Sequence, residues 1–101
     1  MHETDALPIL SAMAQNTRLQ VVAMLARAGD SGMASGEIAD LVGIPRHLMS
    51  SHLAVLSRAG VVAARKTGRA VVYSVDRKRI SLLGRYISAL GDVADGREAE
   101  E

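Results

Sequence analysis

Arg46, His47, Ser50 and Ser51 are the residues of this sequence whose types and spacing point most directly to chemistry. Arginine presents a rigid fork of N–H donors that matches the O6 and N7 acceptors of guanine. Histidine can donate or accept, and a serine hydroxyl is short enough to let a base edge or a phosphate come close. Their spacing places them on one face of a helix, while Met49, His52, Leu53 and Leu56 recur at i, i+3, i+4 and i+7 on the other. The segment ahead of them, EIADLVG from Glu37 to Gly43, reads as a short helix with Ile38, Leu41 and Val42 at i, i+3 and i+4 and Gly43 as a left-handed stop. Ile44-Pro45 then makes a tight turn. Two short helices joined through glycine, the second with a polar first half, form the helix-turn-helix pattern that seats a recognition helix in a DNA major groove.

The elements that must position this pair follow from periodicity. A short amphipathic first helix is expected over residues 5–15, with Leu7, Leu10, Met13 and Ala14 as its apolar set and Pro8 in its first turn. Asn16 is expected to cap a central second helix over 17–28, ended by Gly29, and Ser35 to cap the third. After Gly60 the period changes to alternation. Val62 to Lys66 and Ala70 to Val75 read as a β-hairpin turning near Thr67-Gly68, which behind a recognition helix is a wing, with Arg65, Lys66 and Arg69 at its tip. Asp76 caps a last helix from Arg77 to about Val93. Its apolar residues, among them Ile80, Leu83, Tyr86, Ile87 and Leu90, cover more than the one stripe that packing on a core requires. The surplus implies a second contact, most simply with the same helix or the first helix of another subunit in a homodimer, and the candidate interface residues are Leu7, Leu10, Leu83, Tyr86, Ile87 and Leu90. The fold class expected is mostly α with a β-hairpin wing, a winged helix-turn-helix in the order α-α-α-α-β-β-α. It occupies residues 1–93, fraying from about Gly91 into an acidic, disordered tail over 94–101.

Composition excludes several other functions. The 101 residues are 49% apolar, yet Tyr73 and Tyr86 are the only aromatics, so there is no stacking platform for unpaired bases. With no cysteine, thiolate metal sites, disulfides and cysteine nucleophiles are all absent. No apolar run approaches the roughly 20 residues of a membrane helix, and a cytoplasmic protein is expected. The net charge of +1 conceals a strong asymmetry. Residues 43–79 hold Arg46, Arg58, Arg65, Lys66, Arg69, Arg77, Lys78 and Arg79 against Asp76 alone, whereas the segments on either side are net acidic. Positive charge clustered in the same third as the helix-turn-helix favours phosphate contact over a merely solvated face.

Catalysis has little to stand on. Glu37 and Asp40 share a helix face by spacing, but no nucleophile–base pair or metal cluster accompanies them, and the glycines from Gly29 to Gly36 lack phosphate-loop spacing. The expectation is a protein that is not an enzyme and carries no cofactor and no metal within one chain. Across a dimer, His2, Glu3 and Asp5 could meet Asp92 or Asp95 and hold a hard or borderline metal ion. Leu48 either meets a thymine methyl or covers the helix end. His52 and Arg18 are expected to be structural, and Met13, Met24, Met33 and Met49 to be core residues.

Taken in order, AQNTRLQVVAML, SGEIADLVGIP, SSHLAVLSRAGVV and RKTGRAVVYSV resemble the ArsR/SmtB family of winged helix-turn-helix repressors over roughly Leu7 to Leu90. The resemblance implies a homodimer that binds an inverted-repeat operator in double-stranded DNA and releases it when a metal or other signal binds. The sequence departs from the family at its inducer sites. Ala34-Ser35-Gly36 stands where arsenic and cadmium sensors carry C-V-C, and from Ile80 to Val93 there is no histidine and one acid, Asp92. The usual inducer sites therefore do not carry over, and any inducer is held without thiolates. The competing expectation is a winged-helix protein–protein interaction module, which would present an apolar recognition face and bind in a salt-tolerant way.

Overall fold

The computed structural model describes residues 1–96. Its elements are α1 (Glu3–Met13), α2 (Asn16–Ala28), a 3-10 turn (Gly29–Ser31), β1 (Met33–Ala34), α3 (Ser35–Val42), α4 (Arg46–Arg58), β2 (Val62–Thr67), β3 (Ala70–Val75) and α5 (Arg77–Ala94). The expected order holds with one addition. β1 pairs antiparallel with β3, so the hairpin grows into a three-stranded sheet of order β1-β3-β2. A two-residue strand has no period to read. It forms because Gly32, at φ +67°, brings the chain against β3, where a Cβ would run into the Tyr73 carbonyl oxygen.

The hairpin register runs from Val62 opposite Val75 to Thr67 opposite Ala70, leaving Gly68-Arg69 as a two-residue turn. Its base is tied to the helices. The Asp76 N–H donates to the Val61 carbonyl at 2.9 Å, and the Asp76 carboxylate accepts the Arg79 N–H at 3.0 Å, capping α5.

One apolar cluster holds the domain together. Met49, Leu53 and Leu56 of α4 are fully buried among Val21 and Leu25 of α2, Ile38 and Ala39 of α3, and Val61 beyond α4. Among the described residues no polar or charged side chain is buried, so the cluster carries no unpaired polar group.

Several local expectations are corrected. α1 begins at Glu3 because the Asp5 carboxylate reaches back to accept the His2 N–H at 3.0 Å, which leaves Pro8 inside the helix, beyond its first turn. Its buried stripe is Ala6, Ile9 and Ala12, whereas Leu7 and Leu10 are exposed. Two apolar stripes run side by side on this helix, and the core takes the one whose alanines allow close approach. The side chain of Gln15, in place of Asn16, caps α2 by accepting the Arg18 N–H at 2.8 Å. Only Val21, Val22 and Leu25 of α2 are buried, and Leu19 faces outward. Ala34 takes the extended position before α3, since it pairs in the sheet with Val72, and Ser35 is already helical. α5 continues through Gly91 to Ala94, one residue past its expected end near Val93; of the acidic tail, residues 97–101 lie outside those described.

Arg18 is structural, as expected. Its Nε donates to the Ala12 carbonyl at the end of α1 at 2.5 Å, and its Nη1 lies 3.4 Å from Nδ1 of His52 on α4. One side chain thus joins three helices.

Two kinds of substitution separate these contributions in urea denaturation at fixed protein concentration. Leu53→Ala is expected to lower stability by about 2–5 kcal/mol, since it opens a cavity in the cluster. Arg18→Ala is expected to cost about 1–3 kcal/mol through loss of its charge-assisted bonds, and exposed Leu19→Ala less than about 0.5 kcal/mol.

Candidate nucleic-acid interface

The presentation of α4 begins with the exit from α3. Gly43 adopts φ +83°, ψ 33°, a left-handed stop that turns the chain sharply, and both its N–H and that of Ile44 donate to the Ala39 carbonyl at 2.8 and 3.2 Å. Pro45 then occupies the cap of α4 in extended conformation, and its carbonyl accepts the N–H groups of Leu48 and Met49, each at 3.1 Å. The first turn of α4 is therefore held by main-chain bonds and needs no side-chain cap.

The two faces of α4 divide as its spacing implies. Arg46, His47, Ser50 and Ser51 are all exposed on the side away from the buried Met49, Leu53 and Leu56. Leu48 flanks them at 46% exposure. The Ser51 hydroxyl donates to the His47 carbonyl at 3.4 Å, one turn back in the same helix. Arg46 is engaged within the protein: its Nη2 donates to the Asp40 carboxylate at 3.2 Å, so the guanidinium lies back along α3. Nothing in the spacing foretold that contact, because six residues and a change of helix direction separate the partners.

On the wing, the three expected cations do not form one cluster. Arg65 and Lys66 are neighbours in β2, so their side chains leave opposite faces of the sheet. Arg65 reaches across to donate from Nη2 to the Ser31 carbonyl at 3.5 Å, while Arg69 sits in the turn itself. Placing all three at the tip is corrected accordingly: Arg69 is at the tip, and Arg65 and Lys66 flank it on two sides. Of the other cations in the basic third, Arg77 is bridged to Asp30 at 3.4 Å, and Arg79 lays its side chain over Gly60 behind the C-terminus of α4. The positive charge therefore reaches from α4 through the hairpin to the start of α5.

The candidate dimer residues divide as well. Leu7, Leu10, Ile87 and Leu90 are exposed, and Val93 joins them at 49% exposure. Leu83 is 5% exposed and belongs to the core of its own protomer, so its place among interface residues is corrected; Tyr86 is half-buried against the same core. Of the eighteen residues of α5 only Leu83 is buried, which leaves most of the apolar surface of this helix uncovered. Within the described residues of one protomer no three His, Asp or Glu side chains come together to hold a metal ion. No helix of the described residues is long and apolar enough to cross a membrane.

Known proteins carry the same arrangement. A family profile described as a helix-turn-helix domain matches residues 13–65, more than half of the chain. The transcriptional activator HlyU of Vibrio cholerae is 32% identical over 82 residues, which cover 81% of this chain and 73% of that protein. The transcriptional repressor SmtB of Mycobacterium tuberculosis is 35% identical over 65 residues, 64% of this chain and 46% of that protein. Among solved structures, the homodimeric winged helix-turn-helix DNA-binding domain Mb0332 of Mycobacterium bovis, a possible ArsR-family regulator, superposes with a TM-score of 0.71 at 22% identity, covering 92% of this chain and 84% of that one. A recognition helix with one buried and one polar face, a basic hairpin behind it and these likenesses lead to one identification: the chain belongs to the ArsR/SmtB family of DNA-binding winged helix-turn-helix transcriptional regulators.

Proposed function

We propose that the protein is a homodimeric, sequence-specific repressor that occupies an inverted-repeat operator in the cytoplasm. The observation that carries this reading is the division of α4, with three fully buried apolar residues on one side and Arg46, His47, Ser50 and Ser51 exposed on the other. In this reading Arg46 and His47 meet base edges from the first turn of α4, Ser50 and Ser51 meet base or phosphate one turn on, and Leu48 covers a thymine methyl. Arg65, Lys66 and Arg69 hold the flanking backbone from two sides of the wing. The exposed apolar residues of α1 and α5, namely Leu7, Leu10, Ile87 and Leu90 with Tyr86 at their margin, support pairing of two protomers. An inducer, if the protein responds to one, binds without thiolate coordination, since the sequence has no cysteine.

Arg46→Ala is expected to weaken binding to the upstream region of the protein's own operon by about 1–3 kcal/mol in a mobility-shift titration, and to raise expression of a reporter placed behind that region. Unchanged shift and reporter would remove Arg46 from the site, and a fall in expression would make the protein an activator. Lys66→Ala and Arg69→Ala are each expected to reduce the slope of log affinity against log salt by about one. Salt-independent binding by the wild type would favour a protein partner instead.

Pairing has its own check. Leu90→Asp places a charge on the uncovered face of α5 and is expected to give a folded monomer in sedimentation equilibrium. A dimer that survives both this change and Leu10→Asp would place the interface elsewhere.

A further inference from the structure

We propose that Asp40 and Gly36 of α3 hold the guanidinium of Arg46 in the free protein and compete with DNA for it, which makes Asp40 a determinant of DNA affinity. The inference rests on the reading in which Arg46 contacts DNA. Arg46 opens α4, yet its guanidinium lies on α3. A Cβ built on Gly36 would stand 2.9 Å from both Cζ and Nη1 of Arg46, so the planar group rests against the α3 backbone in space that only a glycine leaves open. Asp40, four residues on and therefore on the same face, accepts from Nη2 at 3.2 Å. Shelf and carboxylate together fix a pose drawn back along α3, whereas reading a base from the first turn of α4 requires the side chain to extend forward with its fork free.

The hold is weak by construction. Both partners are open to solvent, at 72% and 67% exposure, and an exposed pair of this kind shifts an equilibrium by no more than about fivefold. The guanidinium also lies beside the second residue of α3, at the positive end of that helix, where a cation is disfavoured. Asp40 therefore supplies the attraction, and a phosphate or a guanine edge can replace it. Once Arg46 has left, the Asp40 carboxylate faces a polyanion, a second and separate cost to binding. The first cost exists only when residue 46 is arginine; the second does not depend on it.

A double-mutant cycle distinguishes the two, using a duplex selected from a random pool by the wild-type protein. Asp40→Asn is expected to tighten binding, with a gain about two- to fivefold larger beside Arg46 than in the Arg46→Ala background. Gly36→Ala, which pushes the guanidinium off its shelf without altering any charge and favours the helix intrinsically, is expected to tighten binding about two- to threefold. Equal gains from Asp40→Asn in both backgrounds would reduce Asp40 to a plain field effect and overturn the proposal. Weaker or unchanged binding by Gly36→Ala would also overturn it, since Arg46 would then be working from the shelf. If Arg46→Ala itself bound as tightly as the wild type, the failure would lie in the DNA contact assigned to Arg46.

Discussion

Everything in this domain depends on α4 burying Met49, Leu53 and Leu56 completely while its opposite face keeps Arg46, His47, Ser50 and Ser51 exposed. Met49, Leu53 and Leu56 have no solvent exposure, and side chains of this size each contribute about 1.5–3 kcal/mol when fully buried. That seam against α2 and α3 fixes the rotation of α4 about its own axis. The polar face is thereby aimed by the packing behind it rather than by its own exposed contacts, Arg46 with Asp40 and Ser51 with the His47 carbonyl, and the left-handed exit at Gly43 fixes the angle between α3 and α4. A recognition surface of this kind is rigid because of what lies behind it.

The ends of the chain follow the opposite rule. α1 and α5 each bury a thin stripe in the protomer, Ala6, Ile9 and Ala12 from one and Leu83 from the other, and keep further apolar side chains exposed. α5 meets the core through Leu83, with Ile80 and Tyr86 packed beside it, and the radius of gyration of 15.5 Å exceeds the roughly 13 Å of a compact chain of this length. A helix anchored so lightly is well placed to find the remainder of its packing in a second copy.

Much of this was legible in the residues, and the failures share a cause. Period and stop signals located all five helices and both long strands, because α4 and the hairpin each carry an unbroken pattern bounded by glycine or a cap. β1 was invisible, since two residues have no period and their pairing depends on Tyr73 and Val72 far along the chain. Which apolar residues of α1 the core takes was not readable from period either. Leu7 and Leu10 look more hydrophobic than Ala6 and Ala12, but close helix approach favours the smaller pair. Leu83 was misassigned for the related reason that spacing counts apolar faces without saying which one the core takes. The exposed polar face of Arg46, His47, Ser50 and Ser51 follows from spacing alone, whereas the Arg46–Asp40 contact and the division of Arg65 from Lys66 across the sheet are facts of three-dimensional placement.

Whether two copies of α4 read DNA as a symmetric pair is decided by hydroxyl-radical footprinting of the wild-type protein on the upstream region of its own operon. A symmetric dimer protects two patches related by a two-fold centre, with half-sites about 10 bp apart or a multiple of that spacing. A single patch without symmetry, or protection that ignores sequence, would contradict it.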